Sequence, residues 1–179
     1  MRRFGAPWDR QLLTSTIALL AVIAITAIAG VSGAIQANLR GIAWAVAVFS
    51  ASVAIGAWGL APRGFAIGDR RLRLLKNGWP STEIPLDEIR TIALLDQDAL
   101  SGSLKILGMG GLFGYYGLFR SPTLGSYRLH ATRAGGLVLV RTGSRTFVLT
   151  PEPADGFAEA LLAAAPKARR ERVRGRPAR

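Results

Sequence analysis

Two long runs without a charged residue dominate the first third of the chain. The first extends from Leu12 to Ile35 and the second from Gly41 to Pro62. At about 1.5 Å of helical rise per residue, roughly 20 residues cross a hydrocarbon core, and each run is that long. A charge at mid-bilayer costs about 2.5–3.5 kcal/mol on the insertion scale, so runs this clean predict spanning helices. Gln36, Ala37, Asn38, Leu39 and Arg40 lie between them and leave room only for a tight turn, so the helices must be antiparallel. The expected divisions are an N-terminal segment 1–11, a first span 12–35, a turn 36–40 and a second span 41–62.

Past Pro62 the period of the pattern changes. Phe65 to Ile67 and Arg71 to Lys76 read as short strands with partial alternation. Asn77-Gly78 predicts a hairpin turn, because both residues tolerate positive φ. Trp79 to Leu86 returns as the next strand, pushed towards an edge by Pro80 and Pro85, and Ile89 to Leu95 follows. Further on, Tyr127 to Ala131, Leu137 to Arg141 and Arg145 to Thr150 complete a set of six or seven strands. Phe157, Ala160, Leu161 and Ala164 then form one apolar helical stripe after the capping and N1 candidates in Thr150-Pro151-Glu152-Pro153. This order predicts a mainly β domain over 63–166, a small barrel or a pair of packed sheets closed by one C-terminal helix. A basic tail, 167–179, is expected to be disordered.

Charge decides the orientation. The 179 residues carry a formal net charge of +12, although the mean hydropathy is +0.28. Apolar and basic positions are therefore segregated. Arg2, Arg3 and Arg10 precede the first run, and Arg63, Arg70, Arg71, Arg73 and Lys76 follow the second, whereas the turn holds only Arg40. The positive-inside rule then puts both termini in the cytoplasm. Trp8 and Trp58 would lie near the inner interface and Trp44 near the outer one, where an indole keeps its N–H wet. A cleaved signal peptide is the rival for the first run, with Met1-Arg2-Arg3 as its charged end and Ser32-Gly33-Ala34 as a cleavage site. The run exceeds the roughly 7–15 residues of such a segment, and a second apolar run follows at once. Ala43, Ala47 and Ala51 on one helix and Ala29 with Gly33 on the other predict a close helix–helix seam. Cysteine is absent, so disulfides and thiolate metal sites are excluded.

The chain resembles the bacterial membrane proteins that carry a pleckstrin-homology-like (PH-like) domain after a pair of transmembrane helices. The residues behind this resemblance are Ile84 to Ile89, Gly111 to Gly117, Ser121 to Tyr127, Ala131-Thr132 and Thr150 to Pro153. It implies a fold and a location, the bacterial inner (plasma) membrane, and no catalytic signature comes with it.

Candidate chemistry is sparse. The stretch from Gly108 to Tyr127 alternates glycines with Phe113, Tyr115, Tyr116 and Phe119. It lacks the Gly-Lys-Ser/Thr ending of a phosphate-binding loop and does not open a helix. A structural loop or bulged strand pair is one reading. The other is a surface at headgroup level that contacts lipid or a partner peptide, with Arg120 beside it. Lys167, Arg169, Arg170, Arg172, Arg174, Arg176 and Arg179 form a polybasic tail expected to make weak contact with anionic lipid, without specific nucleic-acid binding. His130, the only histidine, reads as a strand-surface residue, Asp96-Gln97-Asp98 as a solvated turn and Trp79 as a core residue. No nucleophile or acid–base set can be assembled from the spacing, and no cofactor or metal site is expected. The function read from these residues is a membrane-anchored binding or scaffold module with a protein partner and no catalytic activity of its own. The alternative is an accessory or regulatory subunit of a transporter or secretion complex, acting through its helix pair.

Overall fold

A computed structural model describes residues 1–31 and 37–171. Helix α1 covers Arg10–Val31 and α2 covers Ala37–Leu60. Both are long and apolar enough to span a membrane. Their outward side chains, among them Ile25, Ile28, Phe49 and Ile55, are exposed, so neither is the core helix of a globular domain. Of the seam expected on α2, Ala47 is buried and Ala43 and Ala51 are half-buried, while the buried Ala54 and Ala57 pack with Phe113 and Tyr116. On α1 the close approach is at Gly30, where an added Cβ would lie 3.5 Å from Trp44 Nε1. Gly33 and Ser32-Gly33-Ala34 lie outside the described residues.

Strand β1 (Arg2–Gly5) precedes the helices. After them come β2 (Pro62–Ile67), β3 (Arg71–Lys76), β4 (Thr82–Pro85) and β5 (Ile89–Leu95). Next are β6 (Leu104–Gly110), β7 (Tyr115–Ser121), β8 (Gly125–Ala131), β9 (Leu137–Thr142), β10 (Thr146–Leu149), helix α3 (Ala154–Ala164) and β11 (Arg169–Arg170). They form a four-stranded sheet ordered β1-β2-β3-β4 and a seven-stranded sheet ordered β11-β5-β9-β10-β8-β7-β6. The sheets do not close into a barrel, so of the two expected architectures the sandwich is the one that forms.

One core lies between the sheets under α3. Phe65, Leu72 and Leu74 meet Ile92, Val138, Val140 and Phe157 there. A second cluster lies on the other face of the larger sheet and includes Leu137, Leu139, Tyr127 and Val148. Side chains alternate across a strand, so a sheet covered on both faces demands a continuous apolar run. That is why Leu137-Val138-Leu139-Val140 lacks alternation and is buried throughout.

Three expectations need correction. Trp79 is exposed rather than in the core, because the turn that carries it leaves the sandwich and meets the end of α2. Part of the tail expected to be disordered is a strand: Arg169–Arg170 pair with Thr91 and Ile92 as β11, using hydrogen-bonding groups on the free edge of β5. The N-terminal segment is part of the domain, since Arg2 to Gly5 pair antiparallel with Ile67 to Gly64.

Candidate functional site

The domain meets the helix pair at a junction built from three backbone problems. The first is the N-terminus of α1, whose leading N–H groups lack partners within the helix. Asp9 answers it: its Oδ1 accepts from Leu12 N at 2.7 Å, and its charge faces the positive end of the helix dipole. Asp9 is itself held by the domain, as its N–H donates to Thr132 O at 3.2 Å. Thr132 also donates its hydroxyl to Pro7 O, and Glu152 N donates to Gly5 O at 3.0 Å. Arg133 pairs with Glu152. Ala131-Thr132 and Thr150 to Pro153 therefore hold the N-terminal arm, with Thr150 Oγ1 accepting from Thr132 N.

The second problem is the C-terminus of α2, whose last carbonyls are orphaned. Asn77-Gly78 answers it. Asn77 Nδ2 donates to Trp58 O at 3.1 Å, and Gly78 N donates to Gly59 O at 3.0 Å. Asn77 N reaches Ala61 O. Tyr116 Oη donates to Ala57 O at 2.6 Å, and burial pushes the pKa of that phenol up to about 12, so it stays a donor. Trp79 lies over Gly59, where a Cβ would come within 2.7 Å of its ring.

The third is the turn between β6 and β7. The glycine–aromatic stretch is a bulged strand pair, with the irregularity between Lys105 and Leu107. Its turn reaches the helices instead of solvent. Ser15 donates to Gly111 O, and Thr16 Oγ1 accepts from Phe113 N at 3.3 Å. Phe113 is buried against Ala54, Ala57 and Ala61, with the Trp8 ring 6.0 Å away. Small residues on α2 thus serve twice: they pack against α1 and they receive this turn.

The remaining candidate residues are scattered. Tyr115 and Phe119 pack against the second cluster, Phe119 stacked on Tyr127 at 5.9 Å. Arg120, Lys167, Arg169 and Arg170 are exposed and are not brought together with Phe113 and Tyr116. Arg172, Arg174, Arg176 and Arg179 lie outside the described residues. Asp96 precedes a short 3-10 turn and Asp98 lies within it, and the described residues hold no group of three metal-ligating side chains.

Beside the junction a cleft of about 430 Å³ opens between the end of α2, β3–β4 and the face of β6–β8 that looks towards the smaller sheet. His130 lines it and is only partly exposed. Burial, then Lys76 and Arg128, lower its pKa from 6.5 to about 4, so it is neutral at pH 7. The unfolded chain binds this proton more readily, so the stabilisation is complete above pH 6.5 and is lost as pH falls towards 4. His130→Gln should remove that part of the acid destabilisation. Thermal midpoints of the two proteins measured from pH 7 to 4 provide the check, and parallel curves would refute the burial argument. Sequence spacing had no means of finding the cleft, because its residues come from α2 and five strands.

The Bacterial PH domain family matches residues 63–165, more than half of the chain. No curated protein and no solved structure matches.

Proposed function

The chain belongs to the bacterial PH domain family, and on that footing we propose that it is a membrane-anchored binding or scaffold module on the cytoplasmic face. The observation that carries the reading is the pairing of β1 with β2. These strands flank the helix pair in sequence, so they can meet only if both lie on the same side of whatever α1 and α2 cross. An even number of spans meets that condition. The arginines before α1 and after α2 favour the cytoplasm as that side. The capped helix ends support a domain held firmly at the bilayer surface rather than tethered by a linker. Trp8, Trp58 and Trp79 then belong at one interface, consistent with indole preference. Binding is the activity, through lipid, a protein partner or both.

Reporter fusions test the topology. A fusion after Arg179 should report the cytoplasm, and an insertion within residues 36–40 should report the exterior. A C-terminal fusion active only outside the cytoplasm would overturn the orientation, and with it the side on which any partner is met.

A further inference from the structure

The cleft beside the junction has a chemistry that capping the helices does not require. Its walls divide by polarity. Leu60 on α2, Leu107 on β6 and Leu118 on β7 form an apolar side, and Lys76 on β3 with Arg128 and His130 on β8 form a polar one. No acidic residue lines it. Among the described residues neither Lys76 nor Arg128 has a carboxylate within ion-pairing distance, whereas Arg71 and Arg73 share Glu83 and Arg133 has Glu152. Two cations on one cleft without a counter-charge repel each other, and an entering anion relieves this. Inorganic phosphate would satisfy the cations and leave the leucines in water. A neutral acyl chain would do the reverse. An anionic amphiphile satisfies both walls, and about 430 Å³ is within the usual range of small-molecule sites.

Position selects the amphiphile. Leu60 is the last residue of α2, so on the anchor reading, on which this inference rests, the cleft opens where that helix leaves the hydrocarbon. Leu107 is 74% exposed at its mouth, and Leu104 and Ile106 continue the exposed apolar row along β6. This is a continuous apolar path from the bilayer into a cationic recess.

We propose that this cleft binds the headgroup of an anionic membrane lipid, with the phosphate between Lys76 and Arg128 and the glycerol and first acyl carbons against Leu60, Leu107 and Leu118. The site is distinct from the polybasic tail, whose contact with lipid needs no recess. It binds one lipid at a defined place and thereby ties the domain to the inner leaflet at a further point beyond the spans.

Native mass spectrometry of the full chain, released from nanodiscs of equimolar phosphatidylcholine and phosphatidylglycerol, tests this. The chain should retain one phosphatidylglycerol in roughly tenfold preference over phosphatidylcholine, the scale expected of two cations near an anionic headgroup. Lys76→Gln with Arg128→Gln should abolish the preference, and Leu107→Asp, at an exposed position, should weaken retention. Arg169→Gln with Arg170→Gln removes equal charge elsewhere and should leave it unchanged. Equal retention by a Lys76→Gln/Arg128→Gln protein with a wild-type thermal midpoint would overturn the proposal; if that protein unfolds, Lys76→Gln alone decides in the same way. Complete displacement by millimolar inorganic phosphate would make the ligand a free anion and likewise overturn it. Carbonate extraction of cell membranes separates the two levels. A chain released to the supernatant overturns anchor and lipid together, whereas one that stays in the pellet yet retains no phosphatidylglycerol overturns the cleft alone.

Discussion

Replacing Phe157 by alanine is expected to destabilise the domain by about 3–5 kcal/mol, the usual range for a buried phenylalanine cut to a methyl. Phe157 is fully buried on α3 and joins three parts of the chain. Its ring meets Phe4 at 5.1 Å and 89°, and Phe65 at 5.8 Å and 61°, both edge-on. Alanine therefore removes the contact that fastens the N-terminal arm to the sandwich as well as core volume. Unfolding of the full chain in detergent micelles, followed by tryptophan fluorescence, measures the loss. Trypsin cleavage after Arg2 or Arg3 should accelerate in parallel, because β1 loses its hold. Phe157→Leu should recover most of both effects. A loss below about 1 kcal/mol would mean that α3 does not close the core as described.

Gly117→Val should have the next largest effect, about 3 kcal/mol or more, and should act on the junction. Gly117 on β7 faces Gly108 on β6, and both have positive φ, 135° and 139°. A Cβ on Gly117 would lie 2.2 Å from Leu107 O and 2.6 Å from Gly108 Cα. Backbone cannot yield at those distances without breaking the pair, and valine at such a φ adds strain of its own. The turn carrying Phe113 should then leave Ser15, Thr16 and the alanines of α2. Limited trypsin digestion reads this directly: cleavage after Lys105, which the paired strand protects, should rise roughly tenfold or more. Gly143→Ala, where a Cβ meets nothing within 4 Å, is the control. Unchanged cleavage in Gly117→Val would show that the close strand approach is not what holds the turn in place.

Much of the architecture was legible in one dimension. The two helices are written as uninterrupted apolar runs, which no other element of that length explains. Partial alternation located β3, and the three- and four-residue apolar spacing located α3. The family motifs around Ile84 to Ile89 and Thr150 to Pro153 identified the domain. These features depend on local periodicity, and local periodicity survives in a linear string.

The junction was not legible, because each of its residues has an ordinary local meaning that distant neighbours override. Asn77-Gly78 is a sufficient hairpin turn by itself, and only the fold places it under the carbonyls of Trp58 and Gly59. Ser15 and Thr16 look like tolerated hydroxyls near a helix start, until the turn at Gly111 and Phe113 needs their hydrogen bonds. Arg2 to Gly5 is too short and too charged to read as a strand, and pairs because β2 offers it an edge and Phe157 takes Phe4. Trp79 carries the same lesson in reverse, since a large aromatic after a turn predicts a core and the end of α2 claims it. By itself the sequence determined the three helices and the strands β2–β5 and β8–β10, since their apolar patterns are local. Only the tertiary structure decided where the helix ends and strand edges find their hydrogen-bond partners, because an unpaired backbone group is satisfied by whatever lies near in space, at any distance along the chain.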